Sequence, residues 1–251
     1  MIPKVIHYCW FGNNPLPEKY LSYIETWRKF CPDYEIKEWN EKNFDVTSND
    51  YCREAYAAGK WAFVSDYARL KIIYDNGGIY LDTDVEMIKD IRKLVKDGDG
   101  FIGFQNNEQI TTGLGFSAEK GNECIKTMLD MYVNCHFKSE NGKMNMLPCP
   151  ARNTVALKKC GLKTGKKNMN NVQYLNGITV YPVDYFNPIN FDTKKSNITN
   201  NTYCIHHYSS SWTSSKTNLI RKLKVICPDF LLNWRSNKIS RKDIKMLEEG
   251  I

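Results

Sequence analysis

Asp82 and Asp84 stand one residue apart at the end of a short apolar strand that two glycines introduce. Successive side chains of a strand point to opposite faces, so both carboxylates project to the same side while Thr83 points away. Paired carboxylates need a cation, and their hard oxygen atoms suit Mg²⁺ or Mn²⁺, which leave coordination positions open for phosphate oxygens. The spacing predicts a metal site that receives a nucleotide, with a turn-capping Asp-x-Asp as the alternative.

The segment before this strand, residues 61–74, lacks glycine and proline and is apolar nearly all round. A helix with this pattern is buried. Asp66 and Arg69 lie three residues apart and therefore share one of its faces. Because buried charges are rarely left without partners, we predict that this pair belongs to the functional site. A salt bridge on a solvated face is the alternative.

The elements that position these residues alternate between strands and helices. Strands are predicted at 3–11, 34–39, 78–82, 100–105, 111–117, near 172–182 and at 202–207, and helices at 17–30, 50–58, 61–75, 121–137 and 150–160. This order predicts an α/β fold with a mostly parallel, twisted central sheet flanked by helices and a ligand at the carboxyl ends of the strands. The 251 residues suffice for one such unit.

Four blocks of the sequence together carry a family resemblance. They are Ile2 to Gly12, Ser65 to Arg69, Asn76 to Asp84 and His206 to Trp212. In this order they resemble the DXD-motif sugar transferases of glycosyltransferase family 32, the capsular polysaccharide synthesis type. A more distant resemblance is to the catalytic domain of the large bacterial glucosylating toxins.

The resemblance implies a GT-A nucleotide-sugar fold and a metal-dependent glycosyltransferase of the retaining type. It would move a hexose from a nucleotide sugar, expected to be a UDP-sugar, to a saccharide acceptor. The implied process is the synthesis of cell-surface polysaccharide, such as capsule, or of lipopolysaccharide.

Metal ligands are also implied by the resemblance. Asp84 is the direct ligand, and Asp82 holds the donor and reaches the metal through water. His207 is our choice for the remaining protein ligand, with His206 as the runner-up, and a strand pair of one buried and one exposed histidine is the alternative. The toxins carry an acid here, and imidazole shifts the expected cofactor from Mg²⁺ towards Mn²⁺.

The implied donor pocket draws on all four blocks. Trp10 would stack on the nucleotide base, Tyr80 would help to close the pocket, and Trp212 would donate its indole N–H to the diphosphate. The expected catalytic residues are Asp82, Asp84, Arg69 and Trp212. The expected donor-binding residues are Trp10, Asp66, Arg69, Tyr80, Asp82, Ser210 and Trp212.

Polar residues in 105–107, in 111–113 and in the loop 141–154 are candidates for the acceptor. They are Gln105, Asn106, Thr112 and Arg152. We expect the loop 141–154 to form the variable acceptor wall, because loops on a rigid scaffold carry specificity. The sequence names no nucleophile.

Positive charge is concentrated in the tail 216–251, which carries nine Lys/Arg and four acidic residues and holds five of the seven net positive charges. Apolar residues are interleaved with these bases, so the tail is either a basic amphipathic surface on anionic lipid or an ordinary surface helix. No nucleic-acid-binding module accompanies the charge. We expect a catalytic domain over 1–215 and a helical tail over 216–251 that belongs to the same domain.

Other features restrict the class of protein. Nine cysteines, an odd number without a C-x-x-C pair, argue against zinc and against a disulfide framework. No signal peptide or membrane span is recognisable, so we expect a cytoplasmic enzyme, peripheral at the inner face of the membrane, where a lipid-linked acceptor would be found. The alternatives are a nucleotidyl- or phosphotransferase, a silent sugar-binding module and a toxin-like transferase that modifies a protein.

Overall fold

A computed structural model describes residues 1–95, 98–189, 195–209 and 229–249. Its strands are β1 (Val5–Cys9), β2 (Glu35–Trp39), β3 (Gly78–Tyr80), β4 (Val85–Met87), β5 (Gly100–Phe104), β6 (Ile110–Ala118), β7 (Gln173–Leu175), β8 (Ile178–Tyr181) and β9 (Cys204–His206). Its α-helices are α1 (Glu18–Phe30), α2 (Asp50–Ala57), α3 (Trp61–Asn76), α4 (Glu123–Asp130), α5 (Cys149–Lys159) and α6 (Asp229–Glu248).

The central sheet has seven strands in the order β2-β1-β3-β6-β5-β8-β7. The pairs β1–β2, β1–β3 and β5–β8 are parallel, whereas β6 and β7 run antiparallel to their neighbours. Five of the seven strands therefore point in one direction, which confirms the expected mostly parallel α/β fold. The carboxyl ends of β1, β3, β5 and β8 consequently share one edge of the sheet, called the carboxyl edge below.

Two hydrophobic clusters cover the two faces of this sheet. Ile79 belongs to one cluster and Tyr80 to the other, as the alternation of side chains along a strand requires. The helix α3 packs into the second of these clusters, and its burial follows from its nearly continuous apolar surface. At β3 both faces of the sheet are therefore covered by hydrophobic side chains. Open α/β sheets bind their ligands at the carboxyl edge.

The turn that connects α3 to β3 is fixed by close contacts. Gly77 and Gly78 have φ angles of +71° and +103°, which an L side chain rarely adopts. The ring of His7 donates from Nε2 to the Gly77 carbonyl at 3.0 Å and accepts at Nδ1 from the Trp39 indole at 3.0 Å. Burial lowers the pKa of His7 to about 4, so this ring is neutral near pH 7.

A small second sheet follows the aspartates. The predicted strand at 78–82 ends at Tyr80, and the chain turns so that the Val85 N–H donates to the Asp82 carbonyl at 3.0 Å. β4 then pairs antiparallel with β9, with Val85 opposite His206. This register brings the histidine pair from the far end of the chain beside the aspartates.

Helix α6 packs on the domain. Leu232, Ser240 and Ile244 form its buried stripe, and Lys158 of α5 pairs with Glu248 at 3.0 Å. The first part of the predicted tail, 216–228, lies outside the described residues. No helix within the described ranges is both long enough and apolar enough to cross a membrane.

Candidate active site

Three side chains converge at the end of β3. One ligand atom each from Asp82, Asp84 and His206 lie within 4.8 Å of one another. The His206 Nε2 atom lies 3.1 Å from Asp84 Oδ1, and the Ser209 N–H donates to Asp84 Oδ2 at 2.8 Å. The three side chains are 12% to 25% exposed, so a ligand can reach them.

The two tandem histidines have different surroundings. His206 faces Asp84, whereas His207 places its Nε2 atom 2.8 Å from Glu86 and stacks its ring on Tyr23 with 4.5 Å between centroids. Strand geometry explains the difference, because adjacent side chains leave a strand on opposite faces. The structure therefore brings the runner-up, and not the expected His207, into the group with the two aspartates.

The predicted pair on α3 joins this group. The Arg69 guanidinium donates from Nη2 to Asp66 at 2.7 Å, and its Nη1 atom lies 3.5 Å from Asp82 Oδ2. Its Nε atom donates to the Ser65 carbonyl at 3.0 Å. Since the Arg69 side chain is only 5% exposed, the alternative of a solvated surface salt bridge does not hold.

Asp82 is held from two further sides. Tyr80 is buried and donates its hydroxyl to Asp82 Oδ1 at 2.9 Å, so it orients the carboxylate. The Arg69 Cζ atom lies over the Tyr80 ring, 5.4 Å from its centroid. Gly113 on β6 leaves room for both partners, because a Cβ there would lie 2.8 Å from Asp82 Oδ2 and 3.1 Å from Arg69 Nη1. A glycine inside a strand often marks such a close approach.

The electrostatics of the group are dominated by burial and by opposite charges. Burial raises the pKa of Asp82; Arg69 opposes this shift, and the charge of Asp84 adds to it. For Asp84, burial is outweighed by His206 and by the hydrogen bond from Ser209, which together hold its pKa well below the usual range. Burial likewise works against the charge of His206, but Asp84 raises its pKa. Each carboxylate therefore has a basic side chain beside it, Arg69 at Asp82 and His206 at Asp84.

Trp10 follows β1 and therefore lies at the same carboxyl edge as the aspartates after β3. Its indole N–H donates to the Asn14 carbonyl at 2.7 Å, and its ring packs on Tyr20 with 5.5 Å between centroids. It is partly exposed, as a residue that stacks on a base must be. Two further donor-binding expectations, Ser210 and Trp212, lie outside the described residues.

The four acceptor candidates have separate locations. Gln105 and Asn106 line an open cleft at the carboxyl edge. Thr112 is fully buried and accepts from Asn153 at 3.0 Å. Arg152 is 3% exposed and lies between the rings of two tyrosines, 5.3 and 5.4 Å from their centroids.

The expected acceptor wall is thus wrong for residues 149–154. They form the first turns of α5 and are buried without exception. Pro148 and Pro150 explain this, because a proline in the first turn of a helix loses no hydrogen bond and is already set to the helical φ.

Sequence reasoning missed one contributor to the site, the Ser209 backbone N–H, which carries no side-chain signal. It also missed the pairing of Glu86 with His207, which lies outside the metal group. The position of Glu86, two residues after Asp84, offered a reason to separate the two histidines.

This topology, with a DXD carboxylate pair at the carboxyl edge, is that of the GT-A nucleotide-sugar fold. Residues 17–100, 84 of the 251, match the family described as glycosyltransferase sugar-binding region containing DXD motif. Among solved structures, PaToxG glycosyltransferase has 21% identical residues and a TM-score of 0.50, covering 63% of this chain and 68% of that one. This likeness concerns the fold.

Curated relatives match over shorter stretches. The protein named Subversion of eukaryotic traffic protein A, of Legionella pneumophila, is 27% identical over 111 residues, covering 34% of this chain and 17% of that protein. Inositol phosphoceramide mannosyltransferase 3 of Schizosaccharomyces pombe is 34% identical over 88 residues, covering 34% of this chain and 24% of that protein. The chain therefore spans a quarter or less of the length of these two relatives.

Proposed function

We propose that this domain transfers a hexose from a nucleotide sugar to a saccharide acceptor, with a divalent metal ion and with retention of the anomeric configuration. The observation that carries the proposal is the convergence of Asp82, Asp84 and His206 at the carboxyl edge of a GT-A fold. Open α/β sheets bind their ligands at this edge. The arrangement supplies a metal site and a partly exposed approach to it.

The donor set fits a divalent cation. Two carboxylate oxygens and one imidazole nitrogen lie within 4.8 Å of one another, and a mixed set of this kind favours Mn²⁺ over Mg²⁺. When bound, the ion would supply positive charge that stabilises a departing nucleoside diphosphate. We assign Asp84 and His206 as direct ligands and Asp82 as a ligand through water, so that His206 replaces His207 in this role.

The residues around the metal group have positioning roles in this proposal. Asp66 holds Arg69, and Arg69 and Tyr80 hold Asp82, so the carboxylate that faces the donor is fixed before the donor binds. Arg69 also neutralises the diphosphate side of the donor. Trp10 stacks on the base. The roles expected for Ser210 and Trp212 stay part of the proposal.

The transferred sugar and the acceptor are proposed at the level of class. A relative named a mannosyltransferase makes mannose a candidate for the transferred hexose, and the inositol phosphoceramide in its name is a lipid. We therefore propose a lipid-linked saccharide acceptor and a role in the synthesis of cell-surface polysaccharide or lipopolysaccharide. A toxin-like transferase that modifies a protein is the second candidate function, and the name of the Legionella relative, which refers to the subversion of eukaryotic traffic, is compatible with it.

A contact with an anionic membrane is proposed for helix α6. Leu231, Trp234 and Ile239 are 47%, 62% and 51% exposed, and the Lys238 ammonium lies 5.2 Å from the Trp234 ring centroid. Further exposed bases on the helix are Arg235, Arg241, Lys242 and Lys245. Each base near an anionic surface contributes about 1 kcal/mol. We also propose that α6, which packs on α5, belongs to the catalytic domain, and that the enzyme works on the cytoplasmic face.

The proposed reaction is tested with a panel of UDP- and GDP-sugars in the presence of Mn²⁺ or Mg²⁺. We expect metal-dependent release of a nucleoside diphosphate, and an NMR spectrum of the product should show the anomeric configuration of the donor. Release of a nucleoside monophosphate would instead indicate a phosphotransferase that moves the sugar phosphate, and release of a sugar 1-phosphate would indicate a nucleotidyltransferase. If no donor is bound or cleaved with either metal, the proposed function is wrong.

The membrane contact is tested by co-sedimentation with vesicles of phosphatidylglycerol and phosphatidylcholine. The triple variant Arg235→Gln, Lys238→Gln, Lys242→Gln should bind several-fold more weakly at low salt, and the difference should shrink at high salt. A matched variant with the same charge loss at exposed sites elsewhere, Lys163→Gln, Lys166→Gln, Lys167→Gln, should bind as wild type does. Equal binding by all three proteins would contradict the contact.

A further inference from the structure

A large cleft opens at the carboxyl edge, beyond the ends of β5 and β8. Its volume is about 810 Å³, within the range of about 300 to 1,000 Å³ that small-molecule sites occupy. Its walls come from segments that are distant in sequence: the turn at 105–107, the chain at 182–189 after β8, the stretch 195–201, and α6 at 236–237. A site assembled in this way is shaped by the whole fold.

The lining of the cleft mixes polar and apolar side chains and carries few charges. Amide side chains dominate it, supplied by Gln105, Asn106, Asn107, Asn170, Asn187, Asn197, Asn201 and Asn237. Asp184 and Lys195 are the ionic groups of the lining. Asp184 already accepts hydrogen bonds from Thr199 at 2.8 Å and from Asn201 at 3.1 Å, and Lys195 also has an interaction partner.

This chemistry matches the hydroxyl groups of a sugar. An amide both donates and accepts hydrogen bonds, as a sugar hydroxyl does, so several amides can satisfy several hydroxyls at once. The side chains of Asn106, Asn187 and Asn201 already make hydrogen bonds within the protein, so the other amides of the set, which include Gln105 and Asn237, are the ones proposed to meet the ligand. Among the described residues that line the cleft, the one cation is Lys195, which already has an interaction partner. An anion moved out of water without a partner costs several kcal/mol, so these residues suit a nucleotide or an acidic saccharide poorly. The cleft therefore favours a neutral ligand.

The cleft adjoins the metal group through one short stretch of chain. Tyr208 lines the cleft, and its ring meets the ring of His206 edge-on with 4.3 Å between centroids. The next residue, Ser209, donates its backbone N–H to Asp84. A ligand in the cleft would thus lie next to a donor bound at the aspartates, which is the proximity that transfer to a hydroxyl requires.

Helix α6 fixes one wall. Ser240 donates to Gln109 at 2.9 Å and accepts from Asn106 at 3.3 Å, while Arg241 pairs with Glu108 at 2.7 Å. These contacts tie the turn at 105–109 to the helix that presents Ser236 and Asn237 to the cleft. The C-terminal helix therefore helps to form this binding surface.

We propose that this amide-lined cleft is the acceptor subsite and that it selects a neutral oligosaccharide. This inference rests on the proposed function, which makes the aspartate side the donor subsite. The acceptor's hydroxyl-bearing end would lie at Tyr208, and the rest of the oligosaccharide would extend between the 182–189 segment and α6.

Direct binding to the whole chain tests the proposal without turnover. The probes are lactose, maltotriose and α-1,6-linked mannobiose, with sialyllactose as the anionic counterpart of lactose. Saturation-transfer NMR and titration should show binding of a neutral probe that UDP with Mn²⁺ does not displace, and weaker binding of sialyllactose than of lactose. The double variant Gln105→Ala, Asn237→Ala should weaken neutral binding at least about tenfold. The control Asn171→Ala, at an exposed amide outside the cleft, should bind as wild type does.

Thermal unfolding of each variant separates a lost contact from a lost fold, and single variants at the two positions replace the double variant if it does not fold. Three results would each overturn the subsite: no neutral probe binds, the variants at Gln105 and Asn237 bind a neutral probe as wild type does, or sialyllactose binds more tightly than lactose. Donor cleavage by the wild-type protein without acceptor is measured in parallel. If a donor is cleaved but the cleft gives one of these three results, only the subsite is contradicted. If a neutral sugar binds but no donor is bound or cleaved, the proposed function is contradicted.

Discussion

The carboxyl edge of the sheet has two halves of opposite character. At the end of β3 the side chains are charged and bonded to one another, with Asp82, Asp84, His206 and Arg69 within a few ångströms. At the ends of β5 and β8 the lining is made of neutral amides around an open volume. In our account charge is placed where a diphosphate leaves, and neutral hydrogen-bonding groups are placed where a hydroxyl arrives.

The two halves are also held differently. The charged half is held by regular elements: α3, the tight turn at Gly77 and the strand pair β4–β9. The neutral half is assembled from long connections and a helix from the end of the chain. We therefore expect variants of the charged half to affect metal binding and catalysis, and variants of the neutral half to affect acceptor use.

The largest effect is expected at the metal group. Asp84→Asn should lower turnover by about 10³-fold or more and abolish Mn²⁺ binding, because losing the metal removes several kcal/mol of stabilisation from the leaving group. Asp82→Asn should lower turnover similarly. Steady-state rates with the best donor provide the measurement. Glu86→Gln serves as the matched control, because Glu86 is a carboxylate two residues further along that pairs with His207. Loss of activity in Glu86→Gln together with full activity in Asp84→Asn would contradict the assignment.

Acid should lower the free energy of unfolding of the protein through protonation of His7. Its folded pKa, about 4, is below the unfolded value near 6.5, so its stabilising effect is present above pH 6.5 and is lost as the pH falls towards 4. The loss should reach about 3 kcal/mol of unfolding free energy. Urea unfolding of wild type and His7→Gln at a series of pH values measures it. The difference between the two proteins should change across this pH window, and a constant difference would show that His7 does not titrate there.

A larger side chain at Gly113 should lower turnover more than it lowers the stability of the fold. The added methyl of Gly113→Ala meets Asp82 and Arg69 and should displace them, which costs on the order of 10²-fold in turnover. Gly121→Ala is the comparison, since nothing lies within 4 Å of its added Cβ but its φ of +75° strains an alanine. Rates and melting temperatures together should show a catalytic defect only at Gly113; full activity there would mean that Asp82 is not held as described.

The smallest effect is expected on the neutral half. Ser240→Ala leaves the Gln109 Oε1 atom without the donor that Ser240 supplies, which costs about 1 to 3 kcal/mol of stability at a buried site. It should also raise the KM for the acceptor by a few fold while leaving Mn²⁺ affinity unchanged. Denaturant unfolding and acceptor titrations test both statements. A changed Mn²⁺ affinity would show that the two halves are coupled more tightly than their contacts indicate.

The charged half could be predicted from the sequence because its signals are local. Two aspartates at a spacing of two, a pair of glycines before them and an apolar helix with one charged pair each have a direct structural meaning. The α/β order followed from the alternation of periodicities. The resemblance of the four blocks to one family then assigned the donor side.

The neutral half could not be predicted, because its residues come together only in the folded chain. Asparagines at 187, 201 and 237 are ordinary loop or surface residues in a linear reading. Arg152 looked like an exposed acceptor contact, but the prolines around Cys149 start a helix that buries it. The choice between the histidines also needed the β4–β9 register, which no local pattern specifies.

The most direct test of the central claim compares the two histidines. Isothermal titration calorimetry of Mn²⁺ with His206→Ala and His207→Ala uses the same change at adjacent positions, so its effects on charge and size are matched. We predict that His206→Ala weakens Mn²⁺ binding at least about 100-fold, because outer contacts of a metal site alone are worth 10- to 100-fold, and that His207→Ala retains the wild-type affinity within about twofold. Equal affinities in the two variants, or a loss confined to His207→Ala, would contradict the metal group of Asp82, Asp84 and His206.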